Sequence, residues 1–301
     1  MVAGPPIIRP MKALYDVPAP AKLNLFLHIT GRRADGYHLL QSAFMLIDWC
    51  DVLHFEQRND GLISREDLGA SLPEDDLTVR AARALQAATH TTRGVHISID
   101  KRLPVQAGMG GGSSDAASCL LALNRLWGLN LPLSMLLPIG LKLGADVPFF
   151  LTGRNAWVEG IGEKITPIAL PPAQFVVVKP PQGLDTKLIF AAADLKRDTE
   201  TAILSGFAAN SGAGAYSFGA NDLQPVAQRL CPGVTQALKW LESQGLQGRM
   251  TGSGSAVFAQ ILHKIELKGP PETESGAWQV RQCNNLDVHP LLGWAPSDDY
   301  R

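Results

Sequence analysis

The feature that most constrains this chain is a glycine-rich segment between a predicted strand and a predicted helix. Residues 95–99 alternate in the manner of a strand, and a helical pattern of apolar residues follows residue 113 and ends near Gly128. Four of the five residues from 108 to 112 are glycine. Glycine lets the backbone approach a ligand closely, and the first N–H groups of a helix attract an anion. The sequence therefore predicts a phosphate-binding loop at the start of this helix.

Neither of the two most familiar phosphate loops fits this segment. A Walker loop needs a lysine after its last glycine, and the residue after Gly112 is Ser113. A Rossmann turn needs a third glycine at the position of Ser113 and an acidic residue at the end of the next strand. A flexible linker is the remaining alternative, but a linker has no reason to lie between a strand and a helix. Asp115 is interpreted as a partner of the helix dipole without a catalytic role.

The length of the chain predicts two domains, because 301 residues is about twice the typical domain length. A proline-rich join at residues 167–172 is the best candidate for the boundary, which gives domains at residues 1–166 and 167–301. Strands and helices are mixed without strict alternation, and this favours an α+β fold over a doubly wound sheet. Besides the elements already named, the pattern predicts strands at residues 23–29, 175–178 and 255–262, and helices at residues 75–90 and 235–243.

Composition excludes several classes of partner. Lys and Arg number 27 against 28 Asp and Glu, so the net charge of −1 leaves no global field to hold nucleic acid. The most apolar long stretch, residues 131–151, is interrupted by prolines, Lys142 and Asp146, so we expect no membrane span. Four cysteines without a C-x-x-C pair indicate free thiols in a reducing compartment, and we expect a cytoplasmic protein. Residues 205–220 are expected to form a mobile surface loop.

Written out from Pro104 to Ser114, the loop reads PVQAGMGGGSS and resembles the P-x-x-x-G-L-G-G-G-S-S loop of the GHMP kinase family. Met109 stands where the family has leucine, a change that conserves volume. Further segments resemble other blocks of the family, and they occur in the family's order from residue 18 to about residue 260. These segments are APAKLNL at residues 19–25, RADGYH at 33–38, GADVPF at 144–149 and TGSG at 251–254.

The resemblance implies a two-domain fold and an activity. The N-terminal domain would be an α/β domain of the ribosomal-protein type and the C-terminal domain a ferredoxin-like α+β domain, with the active site in the cleft between them. The activity would be transfer of a phosphoryl group from ATP, with Mg²⁺, to an alcohol of a small molecule. One branch of the family is resembled most, and its acceptor is the 2-hydroxyl of a cytidine diphosphate-linked methylerythritol in the non-mevalonate pathway of isoprenoid biosynthesis. A monomer or weak homodimer is expected.

The resemblance also implies roles for individual residues. Lys22 and Asp146 would be the catalytic pair, in which the lysine stabilises a developing alkoxide and the carboxylate accepts its proton. Without the resemblance, Lys22 reads equally well as a surface lysine at a strand end, and Asp146 as a turn or cap residue. The residues implied to bind the nucleotide are Pro104, Val105, Gln106, Ala107, Gly108, Met109, Gly110, Gly111, Gly112, Ser113 and Ser114 in the loop, and Gly252, Ser253 and Gly254 from the second domain.

The residues implied to contact the acceptor are Asn24, Tyr37, His38, Thr186 and Phe190. Tyr37 and Phe190 would stack on a cytosine ring while His38 bonds its edge. The alternatives are a packed loop aromatic for Tyr37 and ordinary core packing for Phe190.

The sequence does not establish the metal ligands, although the hydroxyl of Ser114 is one candidate. The segment at residues 156–163 resembles the part of the family that lies near the adenine, and its alternative is a glycine-rich turn between strands. Two other functions stay open. One is a kinase of the same family for homoserine, mevalonate or a sugar, and the other is a non-catalytic ligand sensor with this fold.

Overall fold

A computed structural model describes residues 11–209, 213–269, 276–296 and 298 of the chain. The strands are β1 Ala13–Arg32, β2 His38–Arg58, β3 Ile63–Asp67, β4 Gly94–Asp100, β5 Ala156–Gly160, β6 Lys164–Pro167, β7 Gln174–Lys179, β8 Arg249–Met250, β9 Val257–Ile261 and β10 Gln279–Asn284. The helices are α1 Leu77–Thr89, α2 Gly111–Leu126, α3 Leu133–Leu143, α4 Val147–Thr152, α5 Thr186–Ala191, α6 Leu204–Ala209, α7 Gln224–Leu230 and α8 Pro232–Ser243. No helix of the described residues is long and apolar enough to cross a lipid bilayer.

The strands form two sheets. In the first, the order is β3-β4-β2-β5-β6, and β1 also pairs with β2; every pairing is antiparallel except that of β3 with β4. The second sheet has the antiparallel order β10-β7-β9-β8. The chain passes from the first sheet to the second between Pro167 and Gln174, and Leu291 and Trp294 return to pack on the first sheet's core. The domain boundary at residue 167 stays a prediction.

Most elements lie where the sequence predicts them. The helix expected at residues 75–90 is α1, and its N-cap Asp76 accepts hydrogen bonds from the backbone N–H groups of Thr78 and Val79. The helix after the glycine loop is α2, which ends at Leu126. The strands expected at residues 95–99, 175–178 and 255–262 are β4, β7 and β9, and the helix expected at residues 235–243 is part of α8.

The central strand β1 differs from its expected pattern. Alternation at residues 23–29 predicts one apolar face, but Asn24 and Phe26 are as deeply buried as Leu23 and Leu25. The reason is that β1 is covered on both faces, so its side chains enter different cores. Leu23 packs where the two sheets meet, whereas Leu27 packs with the second sheet and its helices, and the register with β2 shifts between them.

The expectation of a mobile surface loop at residues 205–220 is wrong for the described part of that segment. It contains α6 and a 3₁₀ turn at Ala213–Tyr216. Phe207 and Tyr216 are buried where the two sheets meet, and the Tyr216 hydroxyl donates to the Pro171 carbonyl. Aromatic side chains in a glycine-rich segment therefore anchor it to the core. Residues 210–212 lie outside the described residues.

Candidate active site

The glycine loop presents free backbone donors at the start of α2. Gly110, with φ of 71°, is the N-cap, and the Ser114 N–H donates to its carbonyl at 2.9 Å. The N–H groups of residues 111–113 find no backbone acceptor in the described part of the chain, as expected for the first turn of a helix. Ala107 and Met109 are buried and anchor the loop, whereas Val105, Gln106 and Gly112 are exposed. The loop therefore has the form of an anion site.

A second glycine loop, residues 251–254, lies directly on the first. A Cβ on Gly108 would overlap the Thr251 carbonyl oxygen, and a Cβ on Gly252 would lie 2.5 Å from the Gly108 carbonyl oxygen. Both glycines have positive φ, at 72° and 54°. Hydrogen bonds from Ser255 N–H to the Gln106 carbonyl and from Ala256 N–H to the Ala107 carbonyl, both 3.2 Å, join the two segments. This contact brings the second sheet's glycine loop onto the first glycine loop.

Lys22 reaches the same place from β1. Its ammonium Nζ donates to Asn24 Oδ1 and to the Gly108 carbonyl at 3.1 Å, and lies 3.7 Å from Asp146 Oδ2. Burial lowers the pKa of Lys22, an effect that the nearby Asp146 carboxylate opposes. The residue is only 4 % exposed, so the alternative of a surface lysine is wrong. The structure brings Lys22 and Asp146 together, as the resemblance implies.

Asp146 stands at the N-cap position of α4 but does not cap that helix. Its side chain accepts no capping hydrogen bond, and the carboxylate keeps 31 % of its surface exposed beside Lys22. The N–H of Val147 donates to the Gly144 carbonyl at 3.2 Å, and Val147 is buried in the core under α2. The backbone around Asp146 is therefore held by packing, which leaves its carboxylate free to face a ligand.

Asn24 lies behind the lysine rather than in the open. It is 1 % exposed, its Nδ2 donates to Ser42 Oγ at 2.9 Å, and its Oδ1 accepts from Lys22. Its backbone N–H donates to Thr251 Oγ1 at 2.8 Å. These contacts make Asn24 a support for Lys22, and its role as an acceptor contact stays a prediction. Nothing in the sequence indicated that Thr251, the first residue of the TGSG segment, is a partner of Asn24.

Two of the other predicted acceptor contacts, His38 and Phe190, lie against each other. The rings of His38 and Phe190 lie 5.0 Å apart at an angle of 34°, and Tyr37 is 62 % exposed. Phe190 is half-buried and also packs against the core of the second sheet. The alternative of ordinary core packing therefore holds for part of its surface. The hydroxyls of Thr186 and Ser253 are 2.6 Å apart, which joins α5 to the second glycine loop.

Comparison with known proteins agrees with this geometry. The family described as GHMP kinases N terminal domain matches residues 76–154, and GHMP kinases C terminal matches residues 199–266. The 4-diphosphocytidyl-2-C-methyl-D-erythritol kinase of Albidiferax ferrireducens is 69% identical over 288 residues, with 96% of this chain and 98% of that protein covered. The chain belongs to the GHMP kinase family. A protein of the same name from a Polaromonas species is 68% identical, covering 95% of this chain and 96% of its own.

Solved structures of GHMP kinases share the fold. A crystal structure of 4-(cytidine 5'-diphospho)-2C-methyl-D-erythritol kinase is 36% identical with a TM-score of 0.71, covering 81% of this chain and 89% of that one. The homoserine kinase of Cytophaga hutchinsonii has a TM-score of 0.65 at 15% identity, covering 96% of this chain and 98% of that one, which shows a common fold alone. The predicted α+β GHMP kinase fold is confirmed.

One further expectation for this GHMP kinase needs correction. The Ser114 hydroxyl donates to the Pro20 carbonyl at 2.7 Å and the residue is fully buried, so its side chain tethers β1 instead of facing a metal ion. Among the described residues, no group of three or more His, Cys, Asp or Glu side chains could hold a metal. The segment at residues 156–163 forms β5 and its turn into β6, and its place near the adenine stays a prediction.

A buried charge cluster beneath the loop was also missed. Lys101 Nζ donates to Asp51 and, at 2.6 Å, to Asp115, and a Cβ on Gly111 would lie 3.4 Å from that nitrogen. Asp51 Oδ1 accepts from the N–H groups of Arg102 and Leu103 at 2.6 and 2.7 Å. Asp115 is thus a buried ion-pair partner, and its interpretation as a simple dipole partner is wrong. The cluster ties β2, the segment entering the loop and α2 together.

The neighbouring charges in this cluster shift the pKa values of both Lys101 and Asp115. Burial and the neighbouring Asp51 carboxylate raise the pKa of Asp115, although Lys101 opposes them. Burial alone would lower the pKa of Lys101, but the carboxylates of Asp115 and Asp51 raise it. Lys101 therefore pairs with both Asp51 and Asp115, and the negative charge of these neighbours favours its ammonium form.

Replacing Lys101 with methionine is expected to lower the free energy of unfolding by about 3 kcal/mol, since it leaves two buried carboxylates without a cation. Urea unfolding followed by circular dichroism measures the change. The matched control is Arg102→Gln, next along the chain, whose exposed pair with Asp100 is expected to contribute little. Equal urea midpoints for Lys101→Met and the unaltered protein would show that the cluster does not stabilise the loop.

Proposed function

We propose that this chain transfers the γ-phosphoryl group of ATP to the 2-hydroxyl of 4-diphosphocytidyl-2-C-methyl-D-erythritol, a step of the non-mevalonate pathway. The observation that carries the proposal is the buried Lys22 ammonium, 3.7 Å from the Asp146 carboxylate and bonded to the glycine loop. The relatives at 68% and 69% identity, which bear the name of this kinase, support the choice of acceptor. The cytoplasmic location and the monomeric or weakly dimeric state stay predictions.

The phosphates of ATP fit the start of α2. The N–H groups of Gly111, Gly112 and Ser113 are available to phosphate oxygens, and the positive end of the helix dipole favours their charge. Glycine is needed at residues 108 and 110 because a Cβ there would collide with the Thr251 carbonyl oxygen or press on the Phe150 ring, and both residues have positive φ. Residues 252–254 of the second loop lie against Gly108, so their backbone would border the same phosphates. Backbone donors hold the anion, so a net charge of −1 is no obstacle.

Mg²⁺ would supply positive charge that neutralises the phosphate oxygens of ATP. A magnesium ion bound to a nucleotide takes most of its ligands from phosphate oxygens and water, with one or two carboxylates from the protein. The described residues around the loop are compatible with that requirement, because Asp146 keeps an exposed carboxylate there. No residue is assigned as a metal ligand.

The pair acts on the acceptor hydroxyl. Asp146 takes the hydroxyl proton as the acceptor oxygen forms its bond to the γ-phosphorus and the bond to the departing ADP oxygen breaks. The Lys22 ammonium stabilises the negative charge that develops on the acceptor oxygen. Asn24 and the Gly108 carbonyl fix the lysine, so its charge is in place before the reaction begins.

The acceptor's cytosine ring would lie between Tyr37 and Phe190. Tyr37 has an exposed ring, and the Phe190 ring lies beside His38, where α5 meets the first sheet. An aromatic ring stacks on a base, and an imidazole provides a hydrogen bond to the base edge. Homoserine, mevalonate and sugars have no planar ring for such walls, which disfavours them as acceptors.

An ADP-release assay with a panel of acceptors tests this function. We expect the cytidine-linked methylerythritol to give a kcat/KM about 10³-fold above those of homoserine, mevalonate and galactose, because only it occupies the aromatic walls. A reaction without acceptor is the blank. Faster turnover of another acceptor would favour a different kinase of the family, and no turnover with any acceptor would favour a non-catalytic sensor.

A further inference from the structure

Arg197, in the segment after α5, uses its guanidinium in an unusual way for an arginine near the surface. Its Nη1 donates to the Leu195 carbonyl at 2.9 Å, and its Nη2 donates to the carbonyls of Phe190 and Ala192 at 3.2 and 2.6 Å. Its Nε donates to His38 Nε2 at 3.1 Å. All four acceptors are neutral. The side chain is therefore fixed by four directed bonds rather than by a flexible ion pair.

This bond decides which nitrogen of His38 carries the hydrogen. Arginine is only a donor and does not lose its proton in proteins, so the Nε2 atom that faces it must be an acceptor. A neutral imidazole that accepts at Nε2 carries its hydrogen at Nδ1. Burial, with the charges of Arg197 and Arg32, lowers the pKa of His38, which disfavours the doubly protonated ring. Nδ1 has no hydrogen-bond partner among the described residues.

The same guanidinium holds the opposite wall. The carbonyls of Phe190 and Ala192 lie at the end of α5, and the Phe190 ring is 5.0 Å from the His38 ring. Arg197 thus joins a residue of β2 in the first sheet to the helix that follows β7 in the second. Its position sets both the approach of α5 to β2 and the direction of the His38 imidazole.

We propose that Arg197 is a positioning residue that holds His38 in the Nδ1–H tautomer, so that the site meets a pyrimidine ring with a fixed hydrogen-bond donor. This inference rests on the proposed function for the identity of the ring. Arg197 touches neither the phosphates nor the Lys22–Asp146 pair, so its effect falls on the nucleoside part of the acceptor. A fixed donor pairs with the ring acceptors that a neutral cytosine presents on its edge.

The test is nitrogen NMR of the full-length protein labelled with ¹⁵N-histidine, with the His38 signals assigned by their absence in His38→Gln. At neutral pH we expect the unaltered protein to show His38 with hydrogen on Nδ1 and none on Nε2. In Arg197→Met the Nε2–H tautomer is expected to gain population. We also expect the KM for the cytidine acceptor to rise about tenfold, with the KM for ATP unchanged, as for loss of one well-placed hydrogen bond.

Arg229→Gln is the matched control, because Arg229 bonds Asp194 in the same segment but is exposed and is not among the charges that act on His38. It is expected to leave both the tautomer and the KM values unchanged. Hydrogen on Nε2 in the unaltered protein, or the same tautomer in Arg197→Met, would overturn the proposal, and so would an equal rise of both KM values. The unaltered protein's spectrum decides the tautomer even if the variant fails to fold. Absence of turnover with the cytidine acceptor would instead count against the proposed function.

Discussion

Replacing Asp146 with asparagine is expected to lower kcat by about 10³-fold, within the range known for loss of a general base. The amide keeps the size of the side chain but cannot accept the hydroxyl proton. Because Asp146 makes no capping hydrogen bond to α4, the helix loses no partner, and we expect the melting temperature to stay within a few degrees. Steady-state kinetics at saturating ATP and acceptor, with thermal unfolding of the same sample, measure both quantities.

Asp75→Asn is the matched control for this substitution. Asp75 pairs with Arg83 on the exposed side of α1, and both side chains are more than half exposed. Its replacement is expected to change neither kcat nor stability, because an exposed ion pair contributes little. If Asp146→Asn keeps most of its kcat, the proton goes elsewhere and Asp146 is not the base.

Replacing Lys22 with methionine is the second substitution with a large expected effect. Methionine fills a similar volume but removes the ammonium, so we expect kcat to fall by about 10²- to 10³-fold, as for loss of an electrostatic donor at a developing oxyanion. The KM for ATP should change less, since backbone N–H groups still hold the phosphates. Lys164→Met, on exposed β6, is the control and should match the unaltered enzyme. A normal kcat in Lys22→Met would exclude the charge partnership.

The pH dependence of kcat provides an independent check on Lys22. Burial lowers its pKa below that of an ordinary lysine, and the ammonium form is the active one. Activity should therefore be present below the lowered pKa and be lost as the pH rises through it, at a pH below the usual value of about 10.4. In Lys22→Arg the remaining activity should lose this alkaline limb, because arginine stays charged. A limb at or above the ordinary lysine pKa would contradict the assignment.

Local patterns account for much of what the sequence predicted. The α2 helix, its glycine-rich start and the N-cap of α1 depend on residues within one or two turns of each other, so periodicity and capping chemistry identify them. The pairing of Lys22 with Asp146 was implied only by resemblance to the family, and the structure places the two charges 3.7 Å apart. The aromatic walls of the acceptor site stay a prediction.

Contacts between distant parts of the chain were beyond the reach of those patterns. The Lys101 cluster joins residues 50 and 14 positions apart, and Arg197 reaches His38 across 159 positions. Nothing in the local sequence around Ser114 or Asn24 indicates that these polar side chains point inward, to Pro20 and to Lys22. Each of these results depends on which elements cover which face, because burial and long-range hydrogen bonds arise only when the sheets pack.

The glycine loop combines local features that the sequence predicts with long-range contacts that only the folded chain makes. The sequence by itself determined that a helix begins within residues 108–112 with free N–H groups suited to an anion, because glycine conformation and the first turn of a helix are local properties. The tertiary structure decided three contacts of this loop: Gly252 of the second loop packs on it, Lys22 of β1 donates a hydrogen bond to it, and Lys101 pairs with Asp115 in the helix that follows it. Those three contacts come from separate strands and loops, and only the folded chain brings them to one point.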